Sequence, residues 1–266
     1  MRGYPVRPVT RIFKYVIAIT ASGRFDRLAR MAMTALWAAA ARLRTAAMTS
    51  IVLLAVVVGV LAQGTTGVHS ISGRRYATTM SVAGADWLDR VERDREENTE
   101  RALRIIRIME GSTVADIGAG SGYFTTRMAR LVGARGKVYA NDIQPGMLDI
   151  IRRKLDRERI ANVELILGDT DNPKLPAASL DLALMVDVYH EFSQPQTMLR
   201  HIREALKPDG RLILLEYRAE DPRVPILPEH KMTVAQVRLE VESEGFRLAT
   251  VNEELPWQHI LIFVRN

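Results

Sequence analysis

Between residues 111 and 217, short apolar runs alternate with segments whose apolar positions recur at helical spacing. Val114-Ala115-Asp116-Ile117 predicts a buried strand, and Phe124 to Leu131 predicts the helix after it. Lys137 to Asp142, Val163 to Leu167, Leu180 to Asp187 and Gly210 to Tyr217 predict four more strands, with a helix over Met198 to Leu206 ahead of the last. Such alternation predicts an open parallel sheet with helices on both faces. Thr233 to Glu244 predicts a further helix stopped at Gly245, and Phe246 to Val251 and Ile260 to Val264 predict two closing strands. The expected sheet therefore has seven strands. Upstream, Ala85 to Met109 predicts helix, with apolar clusters at Trp87, Leu88 and Val91 and at Leu103, Ile106 and Met109. Its charged middle, Glu92 to Arg101, predicts a solvated face laced with i,i+4 pairs.

The first strand ends in an acid and then turns through Gly118, Gly120 and Gly122. Glycines at such a turn supply unusual dihedrals and leave no Cβ between the backbone and a ligand. A dinucleotide fingerprint needs G-x-G-x-x-G/A, and Tyr123 stands where its last small residue belongs. A P-loop needs Gly-Lys-Ser/Thr, which is missing. An acid two residues ahead of the first glycine suits a ligand with a positive end. The second strand also ends in an acid, Asp142, twenty residues beyond Gly122. A carboxylate there can accept from both hydroxyls of a ribose, as in NAD enzymes, so this feature alone does not separate the cofactors.

Asp116-x-Gly118-x-Gly120-x-Gly122 resembles motif I of the class I S-adenosylmethionine-dependent methyltransferases. The continuation agrees: Asp142-Ile143 to Leu148, Gly168-Asp169 at the third strand end, Asp187 to Phe192 at the fourth, and Lys207-Pro208-Asp209-Gly210 before the fifth. The resemblance covers about residues 85 to 266 and is nearest to the ubiquinone/menaquinone-biosynthesis type. It implies a Rossmann-like sheet closed by an antiparallel hairpin at one edge, with S-adenosylmethionine as cofactor. It implies cofactor contacts from Asp116, Gly118, Ala119, Gly120, Gly122, Tyr123, Asp142, Ile143, Gly168, Asp169 and Asp187. In that scheme Ile143 packs on the adenine, Asp169 bonds the adenine amino group and Asp187 meets the methionine amine or the acceptor. Tyr123 either closes over the methionine tail or packs on the sheet as a helix-start aromatic.

Asp187-Val188-Tyr189-His190-Glu191-Phe192 is the motif that faces the transferring methyl in the family. His190 is the candidate general base, since imidazole titrates near neutrality, and Asp187 the second candidate catalytic group. The opposing reading of His190 is a structural histidine bonded to a neighbouring loop. Glu191 is expected as a surface or helix-start carboxylate. Glu216, Tyr217 and Arg218, and His230-Lys231-Met232 after a Pro-rich loop expected to act as a lid, are candidates to line the acceptor pocket. The histidines show no metal-ligand spacing, so no metal is expected. With no cysteine in the chain, a structural Cys zinc site, a thiol nucleophile and a lipid-modified cysteine anchor are excluded, and arsenite methylation, which the arsenite methyltransferases this fold resembles perform through thiolates, is argued against.

Composition changes the picture only at the front. The formal charge is +6, but residues 1–50 hold nine Arg or Lys and one acid, Asp26, so the remainder is slightly negative. A nucleic-acid-binding face needs clustered positive charge, and the main domain lacks the balance for it. From Thr45 to Gly73 there is no Asp, Glu, Lys or Arg, and Ile51 to Leu61 is an unbroken apolar run. This predicts residues 1–63 as a basic leader plus a signal peptide, or a retained anchor through residues 46–63, with the domain outside the cytoplasm. An Arg-rich transit sequence and a cytoplasmic domain are the alternatives. Residues 64–84 predict a linker or exposed arm, and residues 85–266 the methyltransferase domain. The function expected is methyl transfer to a small-molecule acceptor, lipid-like or aromatic. The rivals are an idle S-adenosylmethionine-binding module tethered at a membrane and an NAD-dependent oxidoreductase, the latter disfavoured by Tyr123 and the glycine spacing.

Overall fold

The computed structural model describes residues 67–266. The leader and its apolar run lie outside the described residues, within which no helix is long and apolar enough to cross a membrane.

Five parallel strands carry the domain: β1 (Thr113–Ile117), β2 (Lys137–Asp142), β3 (Val163–Leu167), β4 (Leu180–Val186) and β5 (Leu206–Arg218). A two-residue strand, β6 (Lys231–Met232), pairs parallel with the end of β5, and β7 (Phe246–Asn252) and β8 (Gln258–Arg265) form the antiparallel hairpin. The order is β3-β2-β1-β4-β5-β8-β7, with β6 off this path. β6 was not expected, because two residues are too few to show a period. The chain runs outward from β1 through β3 and returns at β4 on the other side of β1. The crevice at this reversal, beyond the C-terminal strand ends, is where open α/β sheets take their ligands.

The two faces follow from the two-residue period of a strand. Val114, Val138, Leu182, Leu184, Ile213 and Leu215 face one core, shared with α3 (Thr99–Ile106) and α4 (Tyr123–Val132). Ala115, Ile117, Ala183, Met185, Leu212 and Leu214 face the other, shared with α6 (Pro195–Ala205) and α7 (Val234–Glu242). α5 (Pro145–Glu158) covers β2 and β3 through Leu148, Ile151 and Leu155. Three helix starts have a local cause. Pro145 and Pro195 occupy first-turn positions, where the missing N–H costs nothing. Thr233 and Gln236 form a reciprocal capping box on α7.

Two expectations upstream are corrected. The single helix over Ala85 to Met109 is three pieces: α1 (Ala85–Leu88), α2 (Arg93–Glu97) and α3. Asn98 takes a left-handed conformation between α2 and α3, Arg107 takes another where α3 stops, and α1 ends at Asp89 without one. The charged middle is only partly solvated. The i,i+4 pair Arg93–Glu97 exists at 2.8 Å, yet the two residues are only 5% and 1% exposed. They are buried because their partners are buried too: Arg93 Nη1 donates to the Leu88 carbonyl, and the Tyr217 hydroxyl donates to Glu97 at 3.0 Å.

The segment 67–80, expected as linker or arm, lies against the domain. Arg74 donates to both carboxylate oxygens of Glu240 on α7, at 2.8 and 3.1 Å, and Glu240 also meets His69 at 3.0 Å. Arg74 Nη1 and the Ala77 amide both donate to the His190 carbonyl. A buried guanidinium with this many acceptors cannot leave without stranding Glu240, so the segment is a strap rather than a free connection.

Candidate active site

The glycine turn sits at the reversal point. Gly118, Gly120 and Gly122 all have positive φ. A Cβ on Gly118 would collide with Val188, and one on Gly120 would lie 2.8 Å from Leu88 Cδ1. α1 therefore lies over the turn, secured by Ser121 Oγ donating to Asp89 at 3.0 Å and by Lys154 on the same carboxylate. Asp142 ties the second strand to the turn. Its Oδ2 accepts from the Gly120 amide and its Oδ1 from the Gln144 amide, each at 2.9 Å. The Ala119 amide donates to the Asn141 carbonyl alongside. Ile143, just past Asp142, is 39% exposed, a large apolar side chain left open at the strand tip. Gly168 is buried against Asn141, where a Cβ does not fit.

Asp116 is buried and accepts from Thr125 Oγ1 at 2.6 Å. Burial pushes its carboxyl up to about 6, against the Thr125 bond and the nearby Arg93 charge. Asp187 ends β4 with φ +50, a strained conformation for an aspartate. Its Oδ2 accepts from Gln258 Nε2 at 2.7 Å, while its Oδ1 is buried with no partner. Burial and the neighbouring Glu97 and Glu216 charges push this carboxyl well above the usual range. An unpartnered carboxylate oxygen beside the glycine turn fits the cationic end of an amino acid.

On the far side, His190 stands on a one-turn 3-10 helix, Tyr189–Glu191, directly after β4. It is 1% exposed, so it is no surface histidine. Its Nδ1 lies 2.6 Å from Glu216 Oε2, and the other Glu216 oxygen accepts from the Tyr189 amide at 3.0 Å. With Nδ1 donating to Glu216, Nε2 carries the lone pair, and it accepts from His230 Nδ1 at 3.1 Å. Desolvation, then the His190 charge, lower the His230 imidazole from its ordinary value. Glu191 is partly buried, and burial pushes it up to about 7.

Three of the candidate residues make other contacts in this structure. Asp169 is exposed and paired with Lys174 at 2.9 Å. Tyr123 is buried between the Arg93 and Arg127 guanidinia, its hydroxyl shared by Asp94 and Thr99. That is the packed role rather than the open one. Arg218 clips the β7–β8 connection through Glu253 and the carbonyls of Leu255, Pro256 and Gln258, away from any acceptor role. Sequence reasoning missed Gln258, Arg93 and Glu97 as parts of the site, and no local pattern marks them. It placed Glu216 and His230 in the acceptor region but not their bonds to His190, across 26 and 40 residues.

This fold, with its glycine turn and strand-end carboxylates, is that of a class I S-adenosylmethionine-dependent methyltransferase domain, a superfamily whose cofactor is S-adenosylmethionine. Residues 114–210 match the family model described as methyltransferase domain, and the chain carries a domain of that superfamily. A ubiquinone/menaquinone biosynthesis C-methyltransferase UbiE of Azotobacter vinelandii is 33% identical over 116 residues, 43% of this chain and 46% of that protein. A protein-L-isoaspartate O-methyltransferase of Methanothrix thermoacetophila is 32% identical over 110 residues, 41% of this chain and 50% of that protein. The chain thus spans about half the length of the curated relatives it matches. A solved S-adenosylmethionine-dependent methyltransferase from Aquifex aeolicus superposes with a TM-score of 0.66 at 26% identity, covering 70% of this chain and 98% of that one.

Proposed function

We propose that the domain transfers the methyl group of S-adenosylmethionine to a small-molecule acceptor held on the His190 side of the crevice. The observation that carries this reading is the Asp142 carboxylate, which bonds the Gly120 amide at 2.9 Å and so stands over the glycine turn where a ribose must lie. When bound, the cofactor supplies an electrophilic methyl on a cationic sulfur with a good leaving group. The protein's part is then mainly alignment. Asp142 receives the ribose hydroxyls, Ile143 covers the adenine, and the free Oδ1 of Asp187 receives the methionine ammonium. The Gly118 to Gly122 backbone runs beneath, with Asp116 buried behind it. Asp169 reaches the adenine only by leaving Lys174, an exposed pair worth about 1 kcal/mol or less.

In the metal-free chain His190 takes the acceptor's proton. Glu216 holds Nδ1–H and stabilises the imidazolium, and His230 shares the proton at Nε2. The two relatives, each matched over about half its length, are named for C-methylation in ubiquinone/menaquinone biosynthesis and for O-methylation of protein L-isoaspartate, so the acceptor class is argued from the residues around His190. The partly buried, apolar-flanked turn after β4 supports a lipid-like or aromatic molecule. The apolar stretch at residues 46–63 supports a domain held at or exported across a membrane.

Calorimetry with S-adenosylmethionine, S-adenosylhomocysteine and NAD tests the cofactor. Binding of the first two and not the third is expected, and tight binding of NAD alone overturns the reading. Transfer of labelled methyl from S-adenosylmethionine to a metabolite extract tests turnover, and cofactor binding with no labelled product leaves the idle tethered module.

A further inference from the structure

We propose that His190, Glu191 and His230 form a site for one divalent first-row transition ion, zinc being the ion to test, with an open coordination position turned toward the acceptor. Each residue offers one ligand atom, and these atoms all lie within 4.8 Å of one another. His190 Nε2 and His230 Nδ1 are 3.1 Å apart. Two nitrogens bound to one zinc at about 2.0–2.1 Å sit roughly 2.8–3.4 Å apart at tetrahedral or octahedral angles, so the present separation suits one shared ion. At that separation the two nitrogens share one proton in a hydrogen bond, and one metal ion can take its place. Two imidazoles and a carboxylate are a donor set suited to zinc and its neighbours, and three protein ligands leave a position for substrate.

The surroundings match a built site. Glu216 is fully buried and bonds the Nδ1 of His190, the arrangement that fixes a ligating histidine's tautomer and raises its basicity. The His190 carbonyl is held by Arg74 and the Ala77 amide, so the turn bearing two of the three ligands is anchored from the strap as well. His230 arrives just before β6, whose pairing with Tyr217 and Arg218 fixes where it stands. Both ligand-bearing turns lie at the C-terminal end of the sheet, on the side of the glycine turn.

The site's existence is independent of methyl transfer, but its role rests on that reading. An acceptor hydroxyl or enol oxygen ligated at the open position gives its proton to solvent more readily, and that chemistry names the acceptor class. In the loaded protein the ion occupies the place of the proton that His190 and His230 otherwise share.

Equilibrium dialysis of the metal-stripped full chain against zinc, with elemental analysis, is the test. Cobalt(II) replaces zinc in a parallel sample read by its visible ligand-field bands. One equivalent per chain is expected. His230→Ala and Glu191→Ala should each weaken zinc at least about tenfold and abolish the cobalt bands, and Glu216→Gln should weaken zinc by a similar or smaller factor. His201→Ala, at a surface histidine, should keep the full equivalent. Unchanged S-adenosylmethionine affinity in Glu191→Ala and His230→Ala shows that these variants are folded. Failure of the wild-type chain to retain zinc, or full retention by the His230→Ala, Glu191→Ala double variant, overturns the site. Cofactor binding without zinc removes the site alone, whereas zinc without cofactor binding removes the methyl-transfer reading and leaves the site.

Discussion

The two sides of the crevice are built in opposite ways. The cofactor side is local: the turn from Asp116 to Gly122, the tip Asp142-Ile143 and the strand end at Asp187 each lie within a few residues of the strand that positions them. The proposed acceptor side is assembled from a distance. His190 comes from the turn after β4, Glu216 from β5, His230 from the approach to β6, and the strap that holds the His190 carbonyl from residues 74 to 77. Backbone and a few carboxylates suffice for a ligand common to a whole superfamily. The particular acceptor needs side chains that can vary without disturbing that frame, and distant elements supply them.

Four substitutions can break or sharpen this contrast. His190→Ala should lower turnover by about 100-fold or more, the scale of a lost acid-base group, while leaving cofactor affinity unchanged. A parallel fall in both, by stopped assays and calorimetry, would make His190 structural and merge the two sides. Next is Asp116. Its carboxyl rises from 3.8 to about 6 on folding, so in that window the folded state binds more protons than the unfolded one. Stability from this group is therefore full below pH 3.8 and is lost as pH rises to about 6. The total is about 3 kcal/mol, counted at 1.36 kcal/mol per unit. Asp116→Asn should remove that slope, so that denaturant titrations of the two proteins diverge with rising pH and the variant is the more stable at pH 7. Parallel curves would place the burial penalty elsewhere.

Asp142→Ala should weaken S-adenosylmethionine by about 1–3 kcal/mol through lost charge-assisted hydrogen bonds. Unchanged affinity would remove Asp142 from the cofactor side. The smallest effect is expected from Tyr123→Phe. It should cost about 1 kcal/mol of folding stability through the bonds to Asp94 and Thr99, with cofactor affinity untouched. Loss of affinity instead would return Tyr123 to the methionine tail and make the cofactor side larger than drawn here.

Most of the frame was legible because burial imposes period. Strands β1 to β5 and the C-terminal hairpin sit where apolar runs placed them, with ends shifted by a few residues. What was not legible has a common cause. The break at Asn98 and the stop at Arg107 depend on left-handed backbone at residues that are not glycine. The burial of Arg93, Glu97 and Arg74 contradicts what charge alone implies, because each is compensated by a partner that only the packed chain provides. Tyr123 is drawn off by two guanidinia and Asp169 by Lys174, contacts that no spacing announces.

The sequence by itself determined the order of strands and helices, the glycine turn at the first strand end and the carboxylates at the tips that follow. Hydrophobic period, glycine chemistry and acid placement all act within a few residues. Only the tertiary structure decided that Glu216 would hold His190, that His230 would close on it from 40 residues away, and that Asp187 would keep one buried oxygen without a partner. Those facts depend on which strand lies beside which, and on the desolvation and pairing that follow once the sheet has closed.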